Sequence, residues 1–219
     1  MNKGRREGEL FNFWPAFTDG ITGLFLVIII LFVVVAVQNF QNVIRLLELE
    51  QFVGAINEHV LKKFKGDPDA RVIDGTIVLG DAVLFDLDSA ELKPDGKTKL
   101  TRIGMKVKAV MDSLSGEKAP PLQVSIEGHT DSRGSTEHNI ELSQHRAEAV
   151  AMHWERSTGL SRKDYDLVTI GRGPFRPVVA HATSETQHQL NRRIEIKIYP
   201  RFDALVRILI KGQSPKTGS

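Results

Sequence analysis

Residues 13–37 form an apolar run that contains a single ionisable residue, Asp19. The run is longer than the roughly 20 apolar residues that a helix needs to cross a bilayer. Its continuous core from Leu24 to Val37 is long for a signal peptide, and no A-x-A cleavage pattern follows it. We therefore predict a retained transmembrane helix at the N-terminal end of this chain.

Asp19 is the unusual residue of this helix. A carboxylate at the centre of a transmembrane helix costs roughly 2.5–3.5 kcal/mol, and such residues usually face protein and mark an ion or proton pathway. The alternative is a position at the membrane boundary, because Pro15 and an aromatic belt lie on the same side. The belt consists of Phe11, Phe13, Trp14 and Phe17. The residues alone leave both roles open.

The flanks of the run predict its orientation. Lys3, Arg5 and Arg6 precede it, and the next basic residue after it is Arg45. The positive-inside rule therefore predicts a cytoplasmic N-terminal tail, residues 1–12, and places the rest of the chain outside. The absence of cysteine suits an oxidising compartment. A net charge of +2 is too small to indicate a nucleic-acid-binding protein.

Residues 38–68 predict a helical stalk. Leu46, Leu49, Val53, Ile56 and Val60 recur at alternating spacings of three and four, which is the seam of a short parallel coiled coil and favours a homodimer. Asp19 lies off this seam and would face other subunits. The alternative is a single amphipathic helix that packs on its own domain.

The remaining residues predict one globular domain, residues 69–200, followed by a tail, residues 201–219. Strands are expected around the Asp74-Gly75 turn and at 123–127, 167–170 and 194–199, because these segments are rich in β-branched residues and are bounded by turn residues. Helices are expected after Pro94 and over 136–157. Strands that alternate with helices predict an α/β sandwich with helices on one side of a sheet.

Three segments of this domain carry a family resemblance. They read VLFDLDSAELKPDG (83–96), IEGHTDSRGSTEHNIELSQHRAEAV (126–150) and GRGPFRPVVAHATSETQHQLNRRIEI (171–196). In this order and spacing they resemble the C-terminal domain of the OmpA family. The N-terminal WPAFTDGITGLFL also resembles the span of MotB-like stator subunits, and with the short stalk it is most similar to the ZorB branch of the Zorya anti-phage defence motor.

The resemblance implies a binding site for peptidoglycan. In the family, the positions of Asp131 and Arg146 bind the amine and the carboxylate of diaminopimelate in the peptide stem. An arginine suits the carboxylate because its planar fork bonds both oxygens. Further residues that the resemblance places at the pocket or its support are Gly128, Thr130, Asn139, Leu142, Ser143, Arg192 and Arg193.

The resemblance also implies an inner-membrane, ion-driven stator subunit with its C-terminal domain in the periplasm. Two copies would lie inside a ring of a multi-pass, MotA-like or ZorA-like partner, and Asp19 would translocate protons or sodium ions. The alternatives are a passive anchor between membrane and cell wall, or a flagellar stator subunit. No catalytic motif, cofactor or metal site is predicted, although His138, His145 and His153 are spaced to share a helix face.

Overall fold

The computed structural model describes residues 14–116, 119–203 and 206. The basic N-terminal tail, Phe11 and Phe13 of the aromatic belt, and nearly all of the predicted C-terminal tail lie outside these ranges. The chain divides into two compact units, residues 1–47 and 48–219. Each unit is described by itself below.

The first unit consists of the N-terminal part of helix α1 (Trp14–Phe64). Its large apolar side chains are exposed, and the stretch Phe17–Phe64 is long and apolar enough to cross a membrane by length and composition. Asp19 lies in the second turn and is also exposed. The Thr22 hydroxyl donates to the backbone oxygen of Thr18 at 2.8 Å, so its polar group is satisfied within the helix.

The last turns of α1 belong to the second unit and enter its core. Ile56, Val60 and Phe64 are at most 2% exposed and pack with the strands and helices of the globular domain. The sequence assigned Ile56 and Val60 to a seam between two stalks, whereas the structure buries both within their own chain. Leu46 and Val53, two other positions of that seam, remain 52% and 40% exposed. The domain therefore begins before residue 69 and includes the end of the predicted stalk.

An ion cluster fixes the segment that follows α1. The side chain of Asp67 has no exposed surface and accepts hydrogen bonds from the guanidinium of Arg102 and, at 2.7 Å, from Lys106 Nζ. The hydrogen bond from Arg102 holds the pKa of Asp67 below its usual range. Lys106 Nζ also lies 5.3 Å from the centre of the Phe64 ring, a cation–π contact with the last residue of α1.

The described residues of the globular domain form one five-stranded sheet. The strands are β1 (Arg71–Ile73), β2 (Thr76–Gly80), β3 (Leu122–His129), β4 (Leu167–Gly171) and β5 (Arg193–Pro200), in the order β1-β2-β5-β3-β4. Only the β3–β4 pair is parallel. The predicted Asp74-Gly75 hairpin is confirmed, and both residues have positive φ angles, 48° and 75°, as a type I′ turn requires.

Helices cover one face of this sheet, which confirms the predicted α/β class. The two long helices are α3 (Pro94–Leu114), which starts at its proline, and α4 (Thr136–Ser157), whose bounds are those predicted. Val124 and Ile126 of β3 are fully buried on the helix side, together with the alternating isoleucines of β5. Buried Trp154 of α4 donates its indole N–H to the backbone oxygen of Leu100 at 2.8 Å, which ties α4 to α3.

Three short helices are additional to the prediction: α2 (Asp81–Leu84), α5 (Arg162–Tyr165) and α6 (Glu185–Asn191). α6 starts with a capping box in which the Ser184 side chain and the Gln187 backbone and side chain satisfy each other. That Ser-x-x-Gln pattern is visible in the sequence and predicts the helix start. β3 also extends through His129, two residues into the segment expected to be a loop.

Candidate ligand-binding site

A pocket of about 330 Å³ opens beside the C-terminal end of β3 and the N-terminal half of α4. Six of the residues that the sequence predicts for a ligand site or its support line this pocket: Thr130, Asp131, Asn139, Leu142, Arg146 and Arg192. The other lining residues are Leu87, Asp88, Arg133, Gly134 and His138. The structure thus brings together side chains that are up to a hundred residues apart in the sequence.

Three predicted residues, Gly128, Ser143 and Arg193, do not line the pocket. The Ser143 hydroxyl accepts a hydrogen bond from the backbone N–H of Gly173 at 2.9 Å and so supports the loop after β4. The Arg193 guanidinium bonds Glu195 at 2.7 Å on the sheet. Its neighbour Arg192, which was also predicted, does line the pocket, because successive residues of an extended segment point to opposite sides.

Close packing of α4 on β3 positions the pocket. A side chain at Gly128 would place its Cβ 2.0 Å from the backbone oxygen of Ser143, so only glycine allows this approach. The Ser135 side chain caps α4 by accepting a hydrogen bond from a backbone N–H of its first turn. Asn139 then donates from Nδ2 to the backbone oxygen of Arg133 at 2.7 Å, which holds the loop between strand and helix.

Asp131 is the central anion of the pocket. It is 6% exposed and accepts hydrogen bonds from the backbone and guanidinium of Arg133 and, at 2.6 Å, from Arg192. Burial alone raises the pKa of Asp131, but the hydrogen bonds from Arg133 and Arg192 outweigh it and bring the pKa to about 2. Arg133 is half exposed, so it can leave Asp131 when a ligand cation arrives.

Arg146 is the buried cation of the pocket, at 1% exposure. It donates from Nε to the backbone oxygen of Ser89 at 2.8 Å and from Nη2 to that of Asp86 at 3.2 Å. Its Nη1 lies 3.2 Å from Asp81 Oδ2, and its guanidinium lies 5.2 Å from the centre of the Phe85 ring. A guanidinium has five N–H groups, so these contacts leave two for a ligand.

Arg192 connects the anions around the pocket. It donates to Asp131 and to Glu185 Oε1, each at 2.6 Å, and its Nε lies 3.8 Å from Asp81 Oδ2. The exposed Arg133 also donates to Glu185, at 2.9 Å. Sequence reasoning missed Asp81, Arg133 and Glu185. Asp81 meets Arg146, and Arg133 meets Glu185, only when elements that are distant in the sequence come together.

The pocket therefore offers an anion and a cation at fixed positions. Asp131 stays ionised at neutral pH and can accept hydrogen bonds from an ammonium group. Arg146 stays a cation and has two unused N–H groups, which suit a carboxylate. One pocket thus contains an acceptor for an ammonium group and donors for a carboxylate.

One cluster in the described part of the chain has the spacing of metal ligands. Oxygen and nitrogen atoms of Glu127, His129 and Glu195 lie within 4.8 Å of one another. The carboxylates already accept hydrogen bonds from three cations, however, and Lys197 Nζ bridges them at 3.2 and 2.8 Å. Since the positive charges outnumber the carboxylates, the cluster is better described as an ion network on the sheet than as a metal centre.

Two of the three helix histidines, His138 and His153, have separate partners. His138 Nε2 lies 2.5 Å from Asp88 Oδ1 at the mouth of the pocket. His153 Nε2 lies 2.9 Å from both the Thr101 hydroxyl and the backbone oxygen of Lys97, between α4 and α3. Their spacing along α4 therefore does not bring them to one centre.

Comparisons with known proteins agree with the motifs. Residues 84–192 match the OmpA family. The peptidoglycan-associated lipoprotein of Brucella melitensis biotype 1 is 32% identical over 120 residues, which are 55% of this chain and 64% of that protein. The curated relatives are matched over 33% to 64% of their lengths.

Solved structures share the fold. The cell wall anchor of the T6SS from Pseudomonas aeruginosa has a TM-score of 0.50 and 25% identity, and the match covers 65% of this chain and 95% of that one. A periplasmic domain of Helicobacter pylori MotB has a TM-score of 0.50 and 21% identity, with coverages of 66% and 86%. The C-terminal domain of this chain belongs to the OmpA family.

Proposed function

We propose that this chain is a membrane-anchored stator subunit whose C-terminal domain binds the peptide stem of peptidoglycan. The observation that carries the wall-binding part is the pocket in which Asp131 and Arg146 stand at fixed positions. The relatives named for peptidoglycan or cell-wall attachment support the same ligand. Diaminopimelate offers an ammonium and a carboxylate on one carbon, which is the zwitterion that this pair can bind.

In this proposal Asp131 accepts the ammonium and Arg146 donates to the carboxylate. Arg192 balances the charge of Asp131. Leu142 and the aliphatic part of the Asn139 side chain form one side of the pocket. Thr130 Oγ1 is buried without a hydrogen-bond partner among the described residues, so a ligand oxygen or a water would satisfy it. Arg133 swings away from Asp131 when the ligand binds.

Binding of the full chain, in detergent, to purified sacculi tests this site. Arg146→Ala and Asp131→Asn each remove charged hydrogen bonds worth roughly 1.5–3 kcal/mol, so each should weaken binding by about ten- to a hundredfold. Arg146→Lys should also fail, because an ammonium cannot replace the planar fork. Arg156→Ala, an exposed arginine on the same helix, is the matched control and should bind like wild type.

A second comparison identifies the ligand group. Sacculi that carry lysine in place of diaminopimelate keep the amine and lack the carboxylate beside it, so they should bind about tenfold or more weakly. Circular dichroism of every variant controls for folding. Folded Arg146→Ala and Asp131→Asn variants that bind diaminopimelate sacculi like wild type would exclude this pocket as the wall site.

The proposal for the N-terminal unit is ion translocation through Asp19. Helix α1 has the length and composition of a membrane span, and no other Asp, Glu, Lys or Arg lies between residues 14 and 44. A multi-pass, MotA-like or ZorA-like partner ring would surround two copies of the helix in the inner membrane, with the C-terminal domain in the periplasm. One charge that crosses 100 mV carries roughly 2.3 kcal/mol, which is enough to bias a conformational cycle.

Asp19→Asn tests this part separately. It keeps the size of the side chain and removes the charge, so ion flux and the resulting phenotype should be lost while membrane insertion and partner copurification persist. Gln38→Ala, at the far end of the apolar run, is the control. Equal activity of the Asn and Asp proteins would leave a passive tether between membrane and wall, the function that the cell-wall-anchor relative favours.

The cellular role that we propose is anti-phage defence, as in the ZorB branch, rather than motility. The resemblance of residues 14–26 and the short stalk support it. Plaque formation on cells that express this chain with its genomic neighbour should fall in an Asp19-dependent manner. Restored swimming of a stator-deficient strain without phage protection would favour a flagellar stator instead.

The homodimer is also a proposal, and the fold changes how it is tested. Ile56 is buried in its own domain, so cysteines belong at the seam positions that are still exposed, Leu46 and Val53. We expect both to crosslink in membranes more than cysteines at Glu48 and Glu50. Equal crosslinking at all four positions would contradict a parallel seam.

A further inference from the structure

Asp81 is a buried carboxylate directly behind the two arginines of the pocket. It starts α2, immediately after β2, and is 5% exposed. Its backbone is held on both sides, since its N–H donates to the backbone oxygen of Arg192 and its carbonyl accepts from the N–H of Phe85. Its side chain therefore has a defined position relative to the pocket.

The two oxygens of this carboxylate differ. Oδ2 lies 3.2 Å from Nη1 of Arg146 and 3.8 Å from Nε of Arg192. Oδ1 is buried and has no hydrogen-bond partner among the described residues. A buried oxygen without a partner disfavours the ionised form, because the charge is neither solvated nor hydrogen-bonded at that atom.

Burial accordingly raises the pKa of Asp81 to about 6, even though Arg146 and Arg192 lower it. Asp131 raises the pKa further, and Lys93 lowers it. Asp131, which also lies beside Arg192, has a pKa of about 2. The two carboxylates that share Arg192 therefore titrate in different pH ranges.

Building on the proposed function of this pocket, we propose that Asp81 is a positioning residue that takes up a proton when a ligand carboxylate binds Arg146, and so makes wall binding stronger in mild acid. Ionised Asp81 neutralises part of the charge of the arginines, and the ligand carboxylate competes with it for the same guanidinium. Protonated Asp81 leaves that charge to the ligand. Because linkage is reciprocal, a ligand anion that favours protonation of Asp81 binds more tightly once Asp81 is protonated.

The direction and range of the pH effect follow from this linkage. The ligand carboxylate raises the pKa of Asp81 above its value of about 6, so affinity increases as the pH falls from about 7.5 to about 5.5 and then levels off. An increase of one pKa unit on binding corresponds to about a tenfold gain in affinity. Asp131 stays ionised throughout this range, so the ammonium end of the site is unaffected.

Other ionisable groups near the pocket must be separated from Asp81. His188 Nδ1 is buried without a hydrogen-bond partner among the described residues and lies 3.9 Å from Asp131 Oδ2. Glu185 bonds Arg192 from α6, and the His138–Asp88 pair lies at the pocket mouth. Since histidine is the side chain that most often changes charge between pH 5 and 8, His188→Gln and His138→Gln are required controls.

The experiment measures sacculus affinity of the full chain in detergent from pH 5 to 8.5 at constant ionic strength. We expect wild type to bind about sixfold more tightly at pH 5.5 than at pH 7.5, which is most of the tenfold limit. Asp81→Asn should bind equally at both pH values, at the strength of wild type in acid. Asp86→Asn is the matched control, because that carboxylate is 77% exposed on the adjacent segment, and its pH profile should match wild type.

A measurement on the unmodified chain covers the case in which Asp81→Asn does not fold. Titration with a soluble, diaminopimelate-containing stem peptide, in two buffers of different ionisation enthalpy, counts the protons taken up on binding. If binding raises the pKa of Asp81 by one unit, which is the tenfold gain in affinity, about half a proton per site should be taken up near pH 6.5. Zero uptake would overturn the proposal.

The variant results discriminate further. A folded Asp81→Asn protein that keeps the wild-type pH profile, or that binds more weakly by the same factor at every pH, contradicts the proposed role of Asp81. A profile that is abolished by His188→Gln or His138→Gln instead assigns the proton to that histidine and also overturns it. Failure of wild type to bind sacculi at any pH would count against the proposed wall-binding function itself.

Discussion

The two portions of helix α1 have similar apolar spacing and opposite surroundings. In residues 14–47 the large apolar side chains are exposed, as with Phe25 at 62% and Phe32 at 73%. In residues 48–64 an apolar stripe ends in Ile56, Val60 and Phe64, which are almost fully buried by the globular domain. Periodicity therefore identifies an apolar face, but it does not identify what covers that face.

The difference separates two sources of stability. The first portion needs a bilayer or other subunits to cover its side chains, because exposed apolar surface of this extent is unfavourable in water. The second portion is covered within its own unit and is reinforced by the ion pair between Asp67, just after the helix, and the partly exposed Arg102. We expect changes in the second portion to act on folding, and changes in the first to act on membrane function.

The largest expected effect is on the stability of a soluble fragment when its first residue is moved from 48 to 69. A fragment of residues 48–219 should fold, whereas a fragment of residues 69–219 lacks Ile56, Val60 and Phe64. Burying each such side chain contributes roughly 1.5–3 kcal/mol, so their sum is comparable with the roughly 5–15 kcal/mol of a whole domain. Thermal unfolding by circular dichroism measures this, and equal melting temperatures would contradict the assignment of these turns to the core.

A single substitution tests the same boundary with a smaller effect. Phe64→Ala removes a ring that is 2% exposed and that contacts Lys106, and it should lower the free energy of unfolding by about 3–5 kcal/mol. Leu61→Ala, on the same turns but 51% exposed, should change it by less than about 0.5 kcal/mol. Urea denaturation of the 48–219 fragment gives both values. Similar losses for the two variants would mean that Leu61 is also covered in the folded protein.

The comparison also explains which features could be predicted from the sequence. The Asp74-Gly75 hairpin, the start of α3 at Pro94 and the bounds of α4 depend on local signals, namely turn residues and apolar periodicity. The covering of Ile56 and Val60 depends on tertiary packing, and the spacing of three and four fits both a coiled coil and a helix on its own domain.

The pocket shows the same limit. Asp131, Asn139, Leu142 and Arg146 lie within one motif, and in the structure all four line one pocket. Asp81 carries no motif, because its importance comes from Arg146, which is far away in the sequence. Buried ionic partners of this kind are decided by the approach of separate elements, here α2 and α4.

The smallest expected effect is a pH dependence of stability that belongs to the second unit alone. The folded pKa of Asp81, about 6, is above its ordinary value of 3.8. A raised pKa stabilises the fold below the unfolded value, and this stabilisation is lost as the pH rises through about 6. Between pH 4.5 and 7 wild type should therefore lose about 2 kcal/mol that Asp81→Asn does not lose.

Groups with lowered pKa values set the background of this measurement. Asp131 contributes stability that is lost only as the pH falls below about 4 toward its pKa of about 2, outside the window. Burial lowers the pKa of His129, which acts in the opposite direction to Asp81 but equally in both proteins. The difference between wild type and Asp81→Asn, from urea unfolding of the 48–219 fragment at the two pH values, isolates Asp81. A difference that does not change with pH would mean that Asp81 is ionised throughout this range. Asp81 would then balance the charge of the arginines at every pH, and no proton would regulate it.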